Sequence, residues 1–358
     1  MQRVLVGLAP VLITLALVGC GSDIDERSDG AGDRDSPGQS GGGSSEPAGS
    51  GELSYLTVTA SGLSRIATES GEAREVIGAN ALGLAPGESP QLVRLVDGLI
   101  WASLGPGHLI AIDPESGEID RDLEFGSAQP VTDYGFAGGL LWVQAGFIFS
   151  DAVVLGVDRS SGDLVFNIEP PAGATIGGLA AGDEGVWVIG GNPESASAIS
   201  RIDAGSGTVT GTFDVGLVVK QISVGAGAIW AGGDQFAFEG KDGDAVARID
   251  SETGEIVATI EIGDTLASII EYDGAIWVSD ASGPSFSGAQ LHRIDPVTNE
   301  ITASIDVGEA GTGSLELIGG DGYIFAINSA DRQTYVISTD TMEVESVIVG
   351  PTRPFAIN

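Results

Sequence analysis

One phrase recurs along this chain at intervals that only a repeating sheet architecture satisfies. Its five tryptophans, Trp101, Trp142, Trp187, Trp230 and Trp277, each close a short run of small and aliphatic residues, as in DGLIW, GGLLW and GAIW. They stand 41, 45, 43 and 47 residues apart, and a further copy, DGYIF, places Phe325 another 48 residues on. A period in the forties built from short apolar stretches is the length of one four-stranded propeller blade.

A second phrase follows each aromatic: AIDPESGEI from Ala111, VDRSSGDLV from Val157, RIDAGSGTV from Arg201, RIDSETGEI from Arg248 and RIDPVTNEI from Arg293. Alternating apolar residues flank a polar turn, the pattern of a β-hairpin. Asp113, Asp158, Asp203, Asp250 and Asp295 open the turn, where a carboxylate accepts backbone N–H groups. Gly117, Gly162, Gly207 and Gly254 supply the left-handed residue, with Asn299 in the last copy. One such aspartate per blade, spread around a ring, forms turns and cannot share an ion.

The ends complete the count. LTVTASGLSRIATESGEAREVIG from Leu56 has the makings of a blade without its inner strand, and PTRPFAIN from Pro351 has an inner strand and nothing more. Joined, they make one further blade and leave no open edge. The expected fold is therefore all-β: a seven-bladed β-propeller of four-stranded antiparallel blades over residues 52–358, closed by N- and C-terminal strands sharing one blade. The paired phrases, GAIWVSD with HRIDPVTNEITASIDVG for instance, resemble the repeat of YVTN-type seven-bladed propellers, in the quinoprotein amine dehydrogenase-like/YVTN repeat-like superfamily. That resemblance covers roughly residues 52–358 and implies architecture. Such propellers include binding proteins, lyases, lactonases and quinoproteins, so it implies no single chemistry.

The N-terminus carries an address. The chain opens MQRVLVGLAPVLITLALVGC, with Arg3 ahead of an apolar run from Val4 to Val18 that is short for a membrane span. Leu17-Val18-Gly19-Cys20 resembles the lipobox of bacterial lipoproteins. The resemblance implies that residues 1–19 are removed and Cys20 is lipidated. Residues 20–51, with GSDIDERSDGAGDRDSPGQSGGGSSEPAGS from Gly21, hold too few aliphatic side chains to offset the entropy of ordering. They read as a flexible tether with a reach of about 30 Å. Cys20 is the sole cysteine, which excludes an intrachain disulfide or a CxxC centre. The net charge of −36 repels phosphate backbones and excludes nucleic acid as a partner.

Loop length singles out one face. From each aromatic to the residue opening the turn the distances are 12, 16, 16, 20, 18 and 13 residues, while the hairpin turn hardly changes. Variable loops on a constant scaffold are where recognition is expected. The longest, GGDQFAFEGKDGDA from Gly232, holds Phe236 and Phe238, which are either apolar anchors for a partner or side chains folded back on their blade. Counting nine or ten residues back from each aromatic puts Asp133, Lys220, Gln221 and Glu316 at one level of the inner strands, with Arg353 at that level in the closing blade. They would form a polar pocket at the channel mouth. Internal ion pairs along a water-filled rim account for the same charges more simply.

Catalytic signatures are missing. There is no HExxH or P-loop, and the one G-x-S-x-G match, Gly38 to Gly42, falls in the Gly/Ser-rich tether, away from any strand–helix turn. Trp precedes the turn, whereas pyrroloquinoline-quinone propeller repeats carry it after. The two histidines, His108 and His292, fall four blades apart, unlike the His pair of virginiamycin B lyase. The expectation is a monomeric, extracytoplasmic, lipid-anchored module of the cell envelope. It would bind an envelope protein, peptide or glycan through the loop face and channel mouth, with no cofactor, metal or catalytic residue. The alternative is a metal-assisted hydrolase or lyase, lactonase-like or virginiamycin B lyase-like, using the channel-mouth carboxylates Asp133 and Glu316.

Overall fold

Turn residues at regular intervals cut the chain into short strands, and each group of four makes one antiparallel sheet. The computed structural model describes residues 54–357 apart from 60–61, 68–72, 86–87, 148–151, 170–175, 184, 191–196, 236–242, 264, 282–288, 309–314, 321, 329–332 and 350–352. The first blade begins with β1 (Ser54–Thr59), β2 (Gly62–Ala67) and β3 (Ala73–Gly78). The second is β4 (Gln91–Val96), β5 (Leu99–Gly105), β6 (His108–Ile112) and β7 (Ile119–Glu124); the third is β8 (Val131–Ala137), β9 (Leu140–Ala145), β10 (Val153–Asp158) and β11 (Leu164–Ile168). The fourth is β12 (Ile176–Gly182), β13 (Gly185–Gly190), β14 (Ala198–Ile202) and β15 (Val209–Asp214); the fifth is β16 (Val218–Gly225), β17 (Ala228–Asp234), β18 (Asp244–Asp250) and β19 (Ile256–Glu261). The sixth is β20 (Thr265–Tyr272), β21 (Ala275–Ala281), β22 (Ala289–Asp295) and β23 (Glu300–Val307); the seventh is β24 (Leu315–Gly320), β25 (Tyr323–Asn328), β26 (Gln333–Ser338) and β27 (Val344–Val349). Finally β28 (Arg353–Ile357) returns to the first blade as its innermost strand, giving the order β28-β1-β2-β3. The chain is a seven-bladed β-propeller closed by strands from both ends.

Burial grades outward along each blade. β9 shows one half-buried residue followed by five buried ones, as a strand covered on both sides should. The outermost β23 alternates exposed and half-buried residues, the pleat of a strand with one side in water. The core is accordingly layered between blades. Each tryptophan is at most 1% exposed and points at the next blade: Trp187 packs with Val219 and Ile222, and Trp277 with Leu317 and Ala326. Burying about 200 Å² of indole contributes on the order of 5 kcal/mol before entropy is counted. Trp142, Trp230 and Trp277 also donate their indole N–H to the carbonyls of Ala137, Gly225 and Tyr272 at 3.1, 3.1 and 3.0 Å. The arginine of the RID phrase covers the same rings, with Arg201, Arg248 and Arg293 lying 5.7, 5.5 and 5.9 Å from the centres of Trp187, Trp230 and Trp277.

The hairpin turns form as their residues dictate. The Oδ1 of Asp113 accepts the N–H groups of Glu115 and Ser116 at 2.9 and 2.8 Å, and the same pattern recurs at Asp158, Asp250 and Asp295. The Ser160 hydroxyl and backbone N–H donors hold the Asp158 carboxyl down at about 2. Gly254 and Asn299 close their turns at φ 74° and 60°. In the seventh blade Ser338 and Met342 (φ 58°) take the places of Asp and Gly, a variant the repeat did not reveal.

Candidate functional site

The inner strands bulge at the level where the sequence places its charged candidates. Register slips by one residue between Val131 and Asp133 on β8, Ile176 and Gly178 on β12, Val219 and Gln221 on β16, and Leu266 and Ser268 on β20. A bulge increases local twist and re-aims the side chains beside it. The residue after the bulge then turns toward the neighbouring blade. Asp133, Gln221 and Ser268 are 3%, 6% and 4% exposed.

Asp133 anchors the junction of the second, third and fourth blades. Its Oδ1 lies 2.7 Å from Nη2 of Arg94 on β4 and accepts the Tyr134 N–H at 2.8 Å, and the Leu179 N–H of β12 also bonds this carboxylate. Arg94 additionally donates to the Tyr134 carbonyl, and its guanidinium lies 4.7 Å from the Tyr134 ring centre. The Tyr134 hydroxyl sits 2.8 and 3.0 Å from the Leu92 and Trp101 carbonyls. Burial pushes the Asp133 carboxyl up and Arg94 opposes it; burial likewise raises Tyr134. Arg94 is a partner the repeat pattern did not disclose, because no other blade carries arginine at that register.

Lys220 occupies the bulge of β16 and is about a third exposed. Its ammonium holds both oxygens of Asp244, at 3.0 and 2.8 Å, while Asp244 Oδ2 accepts the Leu266 N–H of the sixth blade at 2.7 Å. The same strut recurs one blade earlier, where the Ser197 hydroxyl accepts the Val219 N–H at 3.1 Å. Thus Asp133 bridges blades directly, whereas Lys220 braces, within its own blade, the aspartate that reaches the next one. Gln221 is buried beside Lys220, and Glu316 is half-buried on β24, whose ladder has no bulge. Arg353 opens β28 opposite Val58, and its side chain lies outside the described residues, as do Phe236 and Phe238 entirely. Cys20 and the tether also lie outside them.

The loop face offers one described aromatic that the sequence reading passed over: Phe147, just beyond β9, is 66% exposed. The signal was the run GFIFSD, apolar in a loop of the third blade. His108 pairs with Asp122 at 2.8 Å in the second blade, while His292 lies buried in the sixth. Among the described residues no group of three or more His, Cys, Asp and Glu side chains is placed to hold a metal ion.

No family model and no curated protein matches the chain. Solved structures do. The computationally designed Ika8 protein is 12% identical with a TM-score of 0.56, covering 86% of this chain and 88% of its own. Apo AztD from Citrobacter koseri is 12% identical with a TM-score of 0.50, covering 85% and 96%. BamB from Moraxella catarrhalis is 20% identical with a TM-score of 0.44, covering 72% of each chain. The shared property is the fold.

Proposed function

We propose that this chain is a lipid-anchored, extracytoplasmic β-propeller that binds a partner through its loop face and channel mouth and catalyses no reaction. The observation that carries the reading is the fate of the charged candidates: Asp133 is committed to Arg94 across a blade junction and Lys220 to Asp244 within the fifth blade. Side chains held in such pairs shape a rigid rim, whereas hydrolysis at a metal needs carboxylate oxygens converging on one point. For a hydrolase or lyase built on Asp133 and Glu316, Asp133 Oδ1 is already taken.

The direction of the chain supports the choice of face. β1 holds the second-strand place in its blade, so Ser54 enters where the short turns lie. A tether from Cys20 therefore joins the face opposite the variable loops, which leaves those loops pointing away from the anchor. The partner is an envelope protein, peptide or glycan, and the propeller works as a monomer.

Two measurements test this. Replacing Cys20 with Ala is expected to move the protein from the membrane to the soluble fraction. Replacing Phe236 and Phe238 with Ala is expected to weaken retention of solubilised envelope components on the immobilised propeller; unchanged retention would remove the loop face from consideration.

A further inference from the structure

The seventh blade departs from its neighbours along its outermost strand. Counted back from the hairpin turn, the outer strands of four other blades carry polar residues at the same two places. These are Asp122 and Glu124, Thr212 and Asp214, Thr259 and Glu261, and Ser304 and Asp306, all of them exposed. The third blade has Asn167 at the first place. In the seventh blade the two places belong to Val347, opposite Tyr335, and Val349, opposite Gln333. They are 45% and 75% exposed. Charged and polar side chains on an edge strand discourage another strand from pairing with it, and β27 gives up that protection.

We propose that the outer edge of β27 docks an extended strand of a partner protein, one with aliphatic residues at alternate positions and a lysine or arginine after them. Among the described residues β27 is paired on one side, with β26. Its other side presents N–H and C=O groups in a row. Strand addition draws affinity from such a row and selectivity from the alternate side chains beside it. Val347 and Val349 carry outward the apolar layer that Tyr335 forms with Ile305 and Val307 between the sixth and seventh blades. The Tyr335 hydroxyl donates to Gln333 Oε1 at 2.6 Å, so the polar groups next to the valines are turned to each other.

Charge selects the occupant. At the turn end of this strand Glu343 and Glu345 are exposed, and the Tyr323 hydroxyl bonds Glu345. The whole chain carries a net charge of −36. A second copy would bring that same charge to the edge, whereas a basic strand is drawn toward it. Antiparallel addition continues the geometry of the pairs already in the seventh blade. It runs the partner past Val349 and Val347 first and brings its basic residue to Glu345 and Glu343 afterwards. This edge lies on the rim of the ring, apart from the loop face, so it stands whether or not the loop face binds.

The test uses the full-length protein in detergent and a fluorescent peptide, Thr-Val-Thr-Val-Thr-Lys-Ser-Lys. Binding is followed by anisotropy and located by amide hydrogen exchange, which the peptide is expected to slow across residues 344–349. Val347→Thr with Val349→Thr keeps a strand-forming residue at both places, as Thr212 and Thr259 do in their blades. This variant should bind at least about tenfold more weakly, the scale of two partly covered valines losing apolar contact. Glu343→Gln with Glu345→Gln should weaken binding about threefold and flatten its salt dependence. No binding at about 1 mM peptide overturns the proposal. So does full affinity in the double threonine variant, or protection that falls elsewhere in the ring. Residues 344–349 already protected without peptide overturn it too: protection that grows with protein concentration assigns the edge to a second copy, and protection independent of concentration assigns it to another segment of the same chain.

Discussion

The two faces of this ring are made by the same strands and obey different rules. On the turn face one solution is copied from blade to blade: an aspartate caps two N–H groups and a residue at positive φ closes the hairpin, from Asp113 to Asn299. On the loop face each junction has its own solution. Arg94 with Asp133 locks the second and third blades, Lys220 with Asp244 and a Leu266 N–H the fifth and sixth, and a Ser279 hydroxyl on the Leu315 carbonyl the sixth and seventh. The repeated face is built from local hydrogen bonds, which any copy of the phrase can make. The varied face is built from contacts between neighbours, which must be solved pair by pair.

Changes at the varied face should therefore cost most. Asp133→Ala leaves a buried guanidinium without its counterion and is expected to lower stability to urea by about 3–5 kcal/mol. Replacing both partners, Arg94→Met with Asp133→Leu, should recover most of it. If the single and double variants are equally unstable, the pair is not what joins these blades.

Next come two glycines at positive φ, Gly254 in a hairpin turn and Gly216 in the link from β15 to β16, which separate backbone strain from packing. At Gly254, φ is 74° and a Cβ would lie 2.0 Å from the Phe213 ring, whereas at Gly216, φ is 62° with nothing within 4 Å. Gly216→Ala should cost about 1–2 kcal/mol from conformation alone. Gly254→Ala adds overpacking of about 1–3 kcal/mol. Equal losses at the two positions would show that Phe213 moves aside freely.

Acid should then act on the turn face first. Hydrogen bonds lower the Asp113, Asp158, Asp203 and Asp250 carboxyls, so their stabilisation is present above the ordinary aspartate value near ~3.9 and is lost as pH falls through the folded values, about 2 for Asp158. Thermal midpoints should hold steady down to about pH 4 and decline below it. Asp158→Ala is expected to shrink that decline, and an unchanged acid profile would mean the caps contribute nothing. The smallest effect on folding belongs to Phe147→Ser, within about 0.5 kcal/mol because the residue is mostly exposed. It should nevertheless weaken any binding at the loop face.

The blade count and the turn chemistry were legible before any coordinates, because each rests on residues close in sequence, and the shared closing blade was legible because the incomplete phrases at Leu56 and Pro351 together complete one repeat. The strand alternation around Asp250, the left-handed Gly254 and the spacing of the tryptophans are all short-range facts. The stacking of Arg201, Arg248 and Arg293 on those tryptophans was legible too, in the repeated RID phrase, and was overlooked. Asp133 lies beside the bulge of β8, and Lys220 and Gln221 beside that of β16. Their partners were not legible in the sequence. Arg94 is 39 residues from Asp133, and Asp244 is 24 residues from Lys220. Which of several charges reaches which depends on a one-residue bulge and on the twist between blades, and neither leaves a mark in local composition. Short-range hydrogen bonding wrote the repeat into the chain. Packing between blades, where burial makes an unpaired charge too costly to keep, decided how the hub is wired.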